Sequence, residues 1–249
     1  MLDNPRLMRT KLLLGEEGIA KLQHACVMII GLGAVGGYAL EGIARSGVGK
    51  LILVDFDRFD ETNINRQILA LSSTIGRKKA EVAAERVREI NPTCEVVVKD
   101  IFVDSDNVQQ LLEMKPDFVV DAIDSLSAKC GLIEALSNSG IPFISSMGAA
   151  LKTDTSRIKL AKLNQTKNCG LSRQLRQRLK RRGVDLTKIT CVYSDEQVVL
   201  PETAIIQTAE GERNILGSLP TVTAIFGLTI AGEVIKQLSD FYKKGEANV

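Results

Sequence analysis

The sequence predicts an α/β fold, a mainly parallel sheet with helices on both faces. Three observations predict it: strand-length apolar runs alternate with segments of helical period, a glycine-rich turn joins the first run to the first helix, and an acid closes the second run. In chain order, ACVMIIG, from Ala25, is a buried strand, and AVGGYALEGIARSG is a helix stopped at Gly47. KLILVD is the second strand, and a polar stretch follows to Gly76. KKAEVAAERVREINP puts Ala83, Val87 and Ile90 on one helical face, with Pro92 past its end. CEVVVKDI and DFVVDAID are strands, SAKCGLIEALSNSG is a helix, and IPFISSMGA is a further strand. The remainder is less regular. RIKLAKL and KITCVYS read as strands around a basic helix, GLSRQLRQRLKRRGVD. Residues 195–218 read as loop, and a last helix runs from about Thr221 to Tyr242. With no Pro-, Gly- or Ser-rich linker, one domain is expected over 1–249, a core at 20–150 and a C-terminal extension at 151–249.

A chain of 249 residues can bury a full core. Its net charge of +2 is too small to indicate a partner, so the placement of charge matters more than its sum. The five cysteines are scattered and form no C-x-x-C pair, which gives no support to a structural zinc site, and a disulfide framework does not suit this length. The start, MLDNPRLMRTKLLLGEEG, has no signal-peptide apolar core, so a cytoplasmic protein with reduced thiols is expected. The apolar stretch LGSLPTVTAIFGLTIAGEVI holds Pro220 and Glu233 and reads as a core or subunit-interface helix rather than an integral membrane segment.

GLGAVG supplies Gly31, Gly33 and Gly36 between a strand and a helix. The first glycine permits the tight turn, the second lets a phosphate reach the backbone, and the third allows close helix–strand packing. The helix start then offers free N–H groups and a positive dipole end. Asp55 ends the next strand about twenty residues on, where an acid binds ribose hydroxyls. This is a Rossmann-like nucleotide site, and the turn alone does not choose between a dinucleotide and ATP.

The polar stretch FDETNINRQIL favours ATP. In a doubly wound sheet such a loop lies over the carboxyl ends of the strands. It carries Arg66, and the next helix opens with GRKKAEV, where Lys79 falls four and eight residues before Ala83 and Val87. Lys79 therefore lies on the sheet-facing side and must reach out past the sheet's end, toward the crevice. Hydride transfer would leave Arg66 and Lys79 without a task, whereas cleaving a triphosphate develops charge that fixed cations stabilise. Arg66 can grip phosphate oxygens in pairs, and Lys79 acts as a point charge. VVDAID adds Asp124 just beyond a strand, a carboxylate suited to Mg2+ on the triphosphate. The competing readings are a loop-ordering ion pair for Arg66, a solvated helix-start lysine for Lys79 and a helix N-cap for Asp124.

Together GLGAVGG, Asp55, NINRQ, GRKK and DAID resemble the ubiquitin-activating-enzyme-like superfamily, which includes the adenylating enzymes of molybdopterin and thiamin biosynthesis. The resemblance implies adenylation of a carboxylate with Mg-ATP, with Asn63 and Gln67 assisting Arg66 and Lys79. It also implies a homodimer in which Arg9, within LMRTKLLLGEEGIAKL, enters the partner's site. Members that serve sulfur-carrier proteins usually have paired zinc cysteines, which this chain lacks. RTKLLLGEEGIAKL, RSGVGKLILVDFD, DAIDSLSAK, ISSMGAALKTD and AGEVIKQL look instead like the tRNA threonylcarbamoyladenosine dehydratase family. That branch activates the carboxylate of a threonylcarbamoyl group on a tRNA adenosine and closes a ring with net loss of water. Adenylation would then belong to the core and tRNA and dimer contacts to 151–249, with room for a sulfur-transfer partner protein. The alternative is an adenylyltransferase acting on the C-terminus of a ubiquitin-like sulfur carrier.

SRQLRQRLKRR carries Arg173, Arg176, Arg178, Lys180, Arg181 and Arg182 with no acid. Leu171, Leu175 and Leu179 form a packing stripe, and the cations occupy the remaining face, a pattern suited to the tRNA backbone. The alternative is a solvated face. Cys169, just before this helix, reads as a small core residue.

Overall fold

The computed structural model describes residues 4–198, 205–208, 211–214 and 216–241. Seven strands form one sheet in the order β3-β2-β1-β4-β5-β7-β6: β1 (Cys26–Ile30), β2 (Lys50–Val54), β3 (Glu95–Lys99), β4 (Phe118–Asp121), β5 (Phe143–Ser146), β6 (Ile158–Lys162) and β7 (Thr190–Ser194). Every neighbouring pair is parallel except β6–β7, which is antiparallel. The chain leaves β1 toward β2 and β3, then crosses back to β4 and β5. The strand order therefore reverses between β1 and β4, the switch point where such sheets hold ligands.

β1 is buried on both faces, as a central parallel strand must be. Val27 and Ile29 pack with the layer of α1 (Met8–His24), α2 (Gly36–Arg45), α3 (Lys79–Ile90) and α7 (Pro220–Leu238). Met28 and Ile30 face α4 (Val108–Leu112) and α5 (Leu126–Ser139). A third cluster joins α5 to α6 (Gly170–Arg181) and β7 through Ile133, Leu175, Leu179 and Cys191. The antiparallel β6–β7 pair thus continues the same sheet and core beyond residue 150.

Several local elements differ from expectation. Within 195–218, read as loop, Ile205–Thr208 and Gly211–Asn214 pair antiparallel as strands β8 and β9, so a backbone ladder satisfies these groups instead of solvent. The last helix starts at Pro220, whose missing N–H costs nothing at the first helical position, and ends at Leu238. Its expected end, Tyr242, lies outside the described residues. The N-terminal helix α1 was not anticipated: Gly15, at φ +77°, kinks it and breaks its period. The short α4 was also missed.

By length and composition α7 could cross a membrane, at 19 residues and a mean hydropathy of 1.2. Phe226, Ile230 and Val234 are nevertheless fully buried in the core, and only one side exposes Ile225 and Leu228. Its approach to α2 is close. A Cβ on Gly227 would sit 2.4 Å from the Val35 carbonyl oxygen, and one on Gly42 2.6 Å from Ala231 Cβ. Gly227→Ala is expected to destabilise the protein by about 1–3 kcal/mol in chemical denaturation. Gly232→Ala, on the same helix with nothing within 4 Å, is expected to be neutral or to stabilise by roughly 0.5–1 kcal/mol.

Candidate functional site

A cavity of about 680 Å³ opens at the β1–β4 switch point. One wall is the glycine turn. Gly31 has φ +89°, and a Cβ there would lie 2.7 Å from the Ala122 carbonyl oxygen. Gly36 does not line the cavity; a Cβ on it would lie 1.8 Å from the Gly31 carbonyl oxygen, so it is a packing glycine. Gly33 is different. A Cβ there would meet only the Gln67 side chain, at 3.8 Å, so the fold itself leaves room at this position.

Asp55, buried at the end of β2, holds this wall. Its Oδ2 accepts the Leu32 N–H at 2.6 Å and its Oδ1 the Asp57 N–H at 2.8 Å. Burial raises its pKa above the usual carboxylate range, against the lowering effects of those N–H groups and of nearby Lys79.

Lys79 opens α3, is buried and lines the cavity, with Nζ 3.0 Å from Asp57 Oδ2. It is not a solvated helix-start lysine. Arg66 lines the cavity too, and its Nη1 donates to the Thr62 carbonyl at 2.7 Å and to Asn65 Oδ1 at 2.9 Å. It therefore orders its own loop, through hydrogen bonds rather than an ion pair. Gln67 is buried on the cavity wall, and its Oε1 has no hydrogen-bond partner. Asn63 departs from expectation: it does not line the cavity. Its Oδ1 instead accepts the Asp60 N–H, completing a capping box around the turn Glu61–Asn63. Asp124 is exposed and lines the cavity, and the N-cap of α5 is Ser125, so Asp124 is not the cap.

Three further features were not anticipated. Phe56 and Phe102, after β2 and β3, form an edge-to-face pair, 4.9 Å between centroids, at the apolar end of the cavity with Ile101 and Val103. Isolated aromatics in loops leave no periodic signal. Beneath the floor, Lys129 and Asp121 are fully buried, 2.8 Å apart. Lys129 precedes Leu132, Ile133 and Leu136 at helical spacing, the same signal that located Lys79, so it was legible. Finally, Asp57 supplies the partner of Lys79.

The cavity extends to Gly170, Leu171 and Gln174, at the start of α6. A second cavity of about 610 Å³ shares Gly148, Ala150, Gly170, Leu171 and Leu216 with it and carries Lys152, Arg173 and Arg176 on its wall. The six cations of α6 are not equivalent. Arg176 turns inward and donates to the Thr166 carbonyl at 2.9 Å, to Thr166 Oγ1 and to Ser172 Oγ at 3.3 Å. Arg182 pairs with Glu134 at 2.6 Å. Both were expected on the free basic face and are engaged within the fold. Arg173, Arg178, Lys180 and Arg181 are exposed and form no ion pair with a described residue. Cys169 is buried as the N-cap of α6, its sulfur accepting the Ser172 N–H at 3.5 Å. Arg9 is exposed on α1 and does not line the cavity of its own chain. Arg176→Ala is expected to cost about 1–3 kcal/mol in thermal or chemical unfolding, by leaving the Thr166 carbonyl unpaired. Arg173→Ala is expected to leave stability unchanged.

The ThiF family matches residues 5–249. The chain is 35% identical over 237 residues to the tRNA threonylcarbamoyladenosine dehydratase of Bacillus subtilis, covering 92% of this chain and 93% of the relative. It is 36% identical over 245 residues to the Escherichia coli enzyme of that name, covering 92% and 91%. Crystal structures of the E. coli tRNA N6-threonylcarbamoyladenosine dehydratase with AMP and with ATP superpose at a TM-score of 0.86, with 35% identity and 96% of both chains covered. The chain belongs to the ThiF family, and within it resembles the tRNA threonylcarbamoyladenosine dehydratases.

Proposed function

We propose that this chain is an ATP-dependent enzyme that adenylates the carboxylate of threonylcarbamoyladenosine in tRNA and closes it into a ring with net loss of water. The observation that carries this reading is one continuous cavity running from the glycine turn, past Arg66, Lys79 and Asp124, to the foot of the basic helix. The relatives at 35% and 36% identity, named for this reaction, support it.

The residues fit a nucleoside triphosphate. The bare Cα of Gly33 leaves room beside it, and Gln67 Oε1 is buried on the same wall without a hydrogen-bond partner. The apolar end, Phe56, Ile101, Phe102 and Val103, suits an adenine. Asp55 accepts the ribose hydroxyls. The remaining nitrogens of Arg66, Nε and Nη2, and the Lys79 ammonium grip phosphate oxygens; both side chains are fixed beforehand, so little reorganisation opposes the step. Asp124 would hold Mg2+, which offsets the negative charge gathering on the departing pyrophosphate. The substrate carboxylate attacks the α-phosphorus and pyrophosphate leaves. The tethered nitrogen then attacks the activated carbonyl, AMP leaves and the nitrogen's proton is released to solvent, so proximity replaces an enzyme nucleophile. Burial pushes Cys94 and Cys191 up to about 12 and Cys26 up to about 11, so these thiols stay protonated at neutral pH.

The exposed face of α6, Arg173, Arg178, Lys180 and Arg181, would follow the tRNA backbone. The outer face of α1 supports a homodimer: Met8, Leu12 and Leu13 flank Arg9 at 58%, 82% and 73% exposure, apolar surface that a second copy would cover while Arg9 enters its site. A cytoplasmic location, where ATP and tRNA are both at hand, fits this reading.

Pyrophosphate release from Mg-ATP is expected to depend on tRNA bearing threonylcarbamoyladenosine, and the product nucleoside to be lighter by one water in mass analysis. Release driven by a carrier protein's C-terminus instead would overturn the substrate assignment. Asp124→Ala is expected to lower turnover by about 10²–10³-fold while tRNA binding persists. Arg9→Ala and Lys79→Ala are each expected to be inactive alone and to regain activity when mixed, as a contribution across the dimer requires. No regain on mixing would assign Arg9 another role.

A further inference from the structure

Beneath the cavity floor, Asp121 and Lys129 form an ion pair wholly removed from solvent. Such a pair is a poor source of stability, because desolvating two charges offsets their attraction and an apolar pair of similar volume often does as well. What it supplies is direction. Asp121 Oδ1 accepts the Ile123 N–H at 3.1 Å, and Lys129 Nζ donates to the Ile123 carbonyl at 2.9 Å. The pair thus grips Ile123 by both of its backbone polar groups, and Ser145 Oγ donates to Asp121 Oδ2 at 2.6 Å from the neighbouring strand. Ile123 directly precedes Asp124. It also lies against the glycine turn, where a Cβ on Gly31 would come 3.2 Å from the Ile123 nitrogen.

We propose that Lys129 is a positioning residue: through Asp121 and the Ile123 backbone it holds the β4–α5 loop so that Asp124 faces the phosphate end of the cavity. The proposal rests on the nucleotide reading above. Neither Lys129 nor Asp121 lines the cavity; both touch its wall only from behind, through Ile123. Their effect is carried entirely by the loop.

The test measures, on the full chain without tRNA, the calorimetric Kd for ATP across a Mg2+ titration. The double variant Asp121→Asn/Lys129→Met removes both charges together and leaves no unpaired ion. Its thermal midpoint is expected to stay near that of the unmodified chain, while the Mg2+ concentration for half-maximal ATP binding rises about tenfold or more, the loss typical when the support behind a metal ligand is removed. ATP affinity without Mg2+ is expected to change little. In an Asp124→Ala background the same double substitution should produce no further Mg2+ shift, because the effect passes through Asp124. Ser145→Ala, which deletes one hydroxyl, is expected to give a smaller shift in the same direction, and it decides the matter should the double variant fail to fold. Unshifted Mg2+ curves in the folded variants would overturn the proposal. If the unmodified chain itself bound no ATP, the nucleotide reading would fall and this proposal with it, a failure distinct from the first.

Discussion

Backbone meets backbone at the β1–β4 switch point, and the rest of the site depends on that approach. Parallel pairing brings the turn after β1 against the turn after β4. At Gly31 no side chain fits between them, and at Gly36 none fits against the Gly31 carbonyl of the same turn. Each turn is then held from behind by a buried acid at the end of its neighbouring or own strand. Asp55 takes the Leu32 N–H, and Asp121 takes the Ile123 N–H. The two acids differ in their company: Asp55 reaches the cavity surface, whereas Asp121 is neutralised below it by Lys129. The same geometric problem, fixing a peptide beside a ligand crevice, has one solution that stays available to a ligand and one that is sealed.

The cations follow the same division. Lys79 and Arg66 are each anchored by a neighbour, Asp57 for one and the Thr62 carbonyl for the other, yet both keep a face on the cavity. Of the α6 cations, Arg176 in the middle of the helix and Arg182 at its C-cap are anchored, to Thr166 and Glu134. Four others are exposed and form no ion pair with a described residue. A helix that carries so many like charges would repel itself and its surroundings. Turning Arg176 inward and pairing Arg182 with Glu134 at the surface fixes the helix and leaves the others held at set positions along it.

The core was legible because its signals are local. Buried central strands read as continuous apolar runs, and the glycine turn, Asp55 and Lys79 stand at spacings that geometry dictates. Lys129 stands at equally diagnostic spacing, ahead of Leu132, Ile133 and Leu136. Asn63 was legible too, since Asp60 and Asn63 stand at capping-box separation. Other features depend on partners distant in sequence. Nothing in SRQLRQRLKRR distinguishes Arg176 from Arg173 until the Thr166 carbonyl is known to face one of them. The β8–β9 ladder is four residues on each side, too short to declare a period. The N-terminal helix hides for the opposite reason, its period being interrupted at Gly15.

The placing of β6 at the sheet's margin has a consequence for assembly. Among the described residues the sheet ends in β6 on one side and β3 on the other, and every strand between is paired twice. β6 carries Lys159 and Lys162, with Lys159 drawn to Asp195, and β3 is bounded by Glu95 and Lys99. Charged margins of this kind oppose the docking of another strand. Copies of this chain are thereby steered away from fusing their sheets end to end.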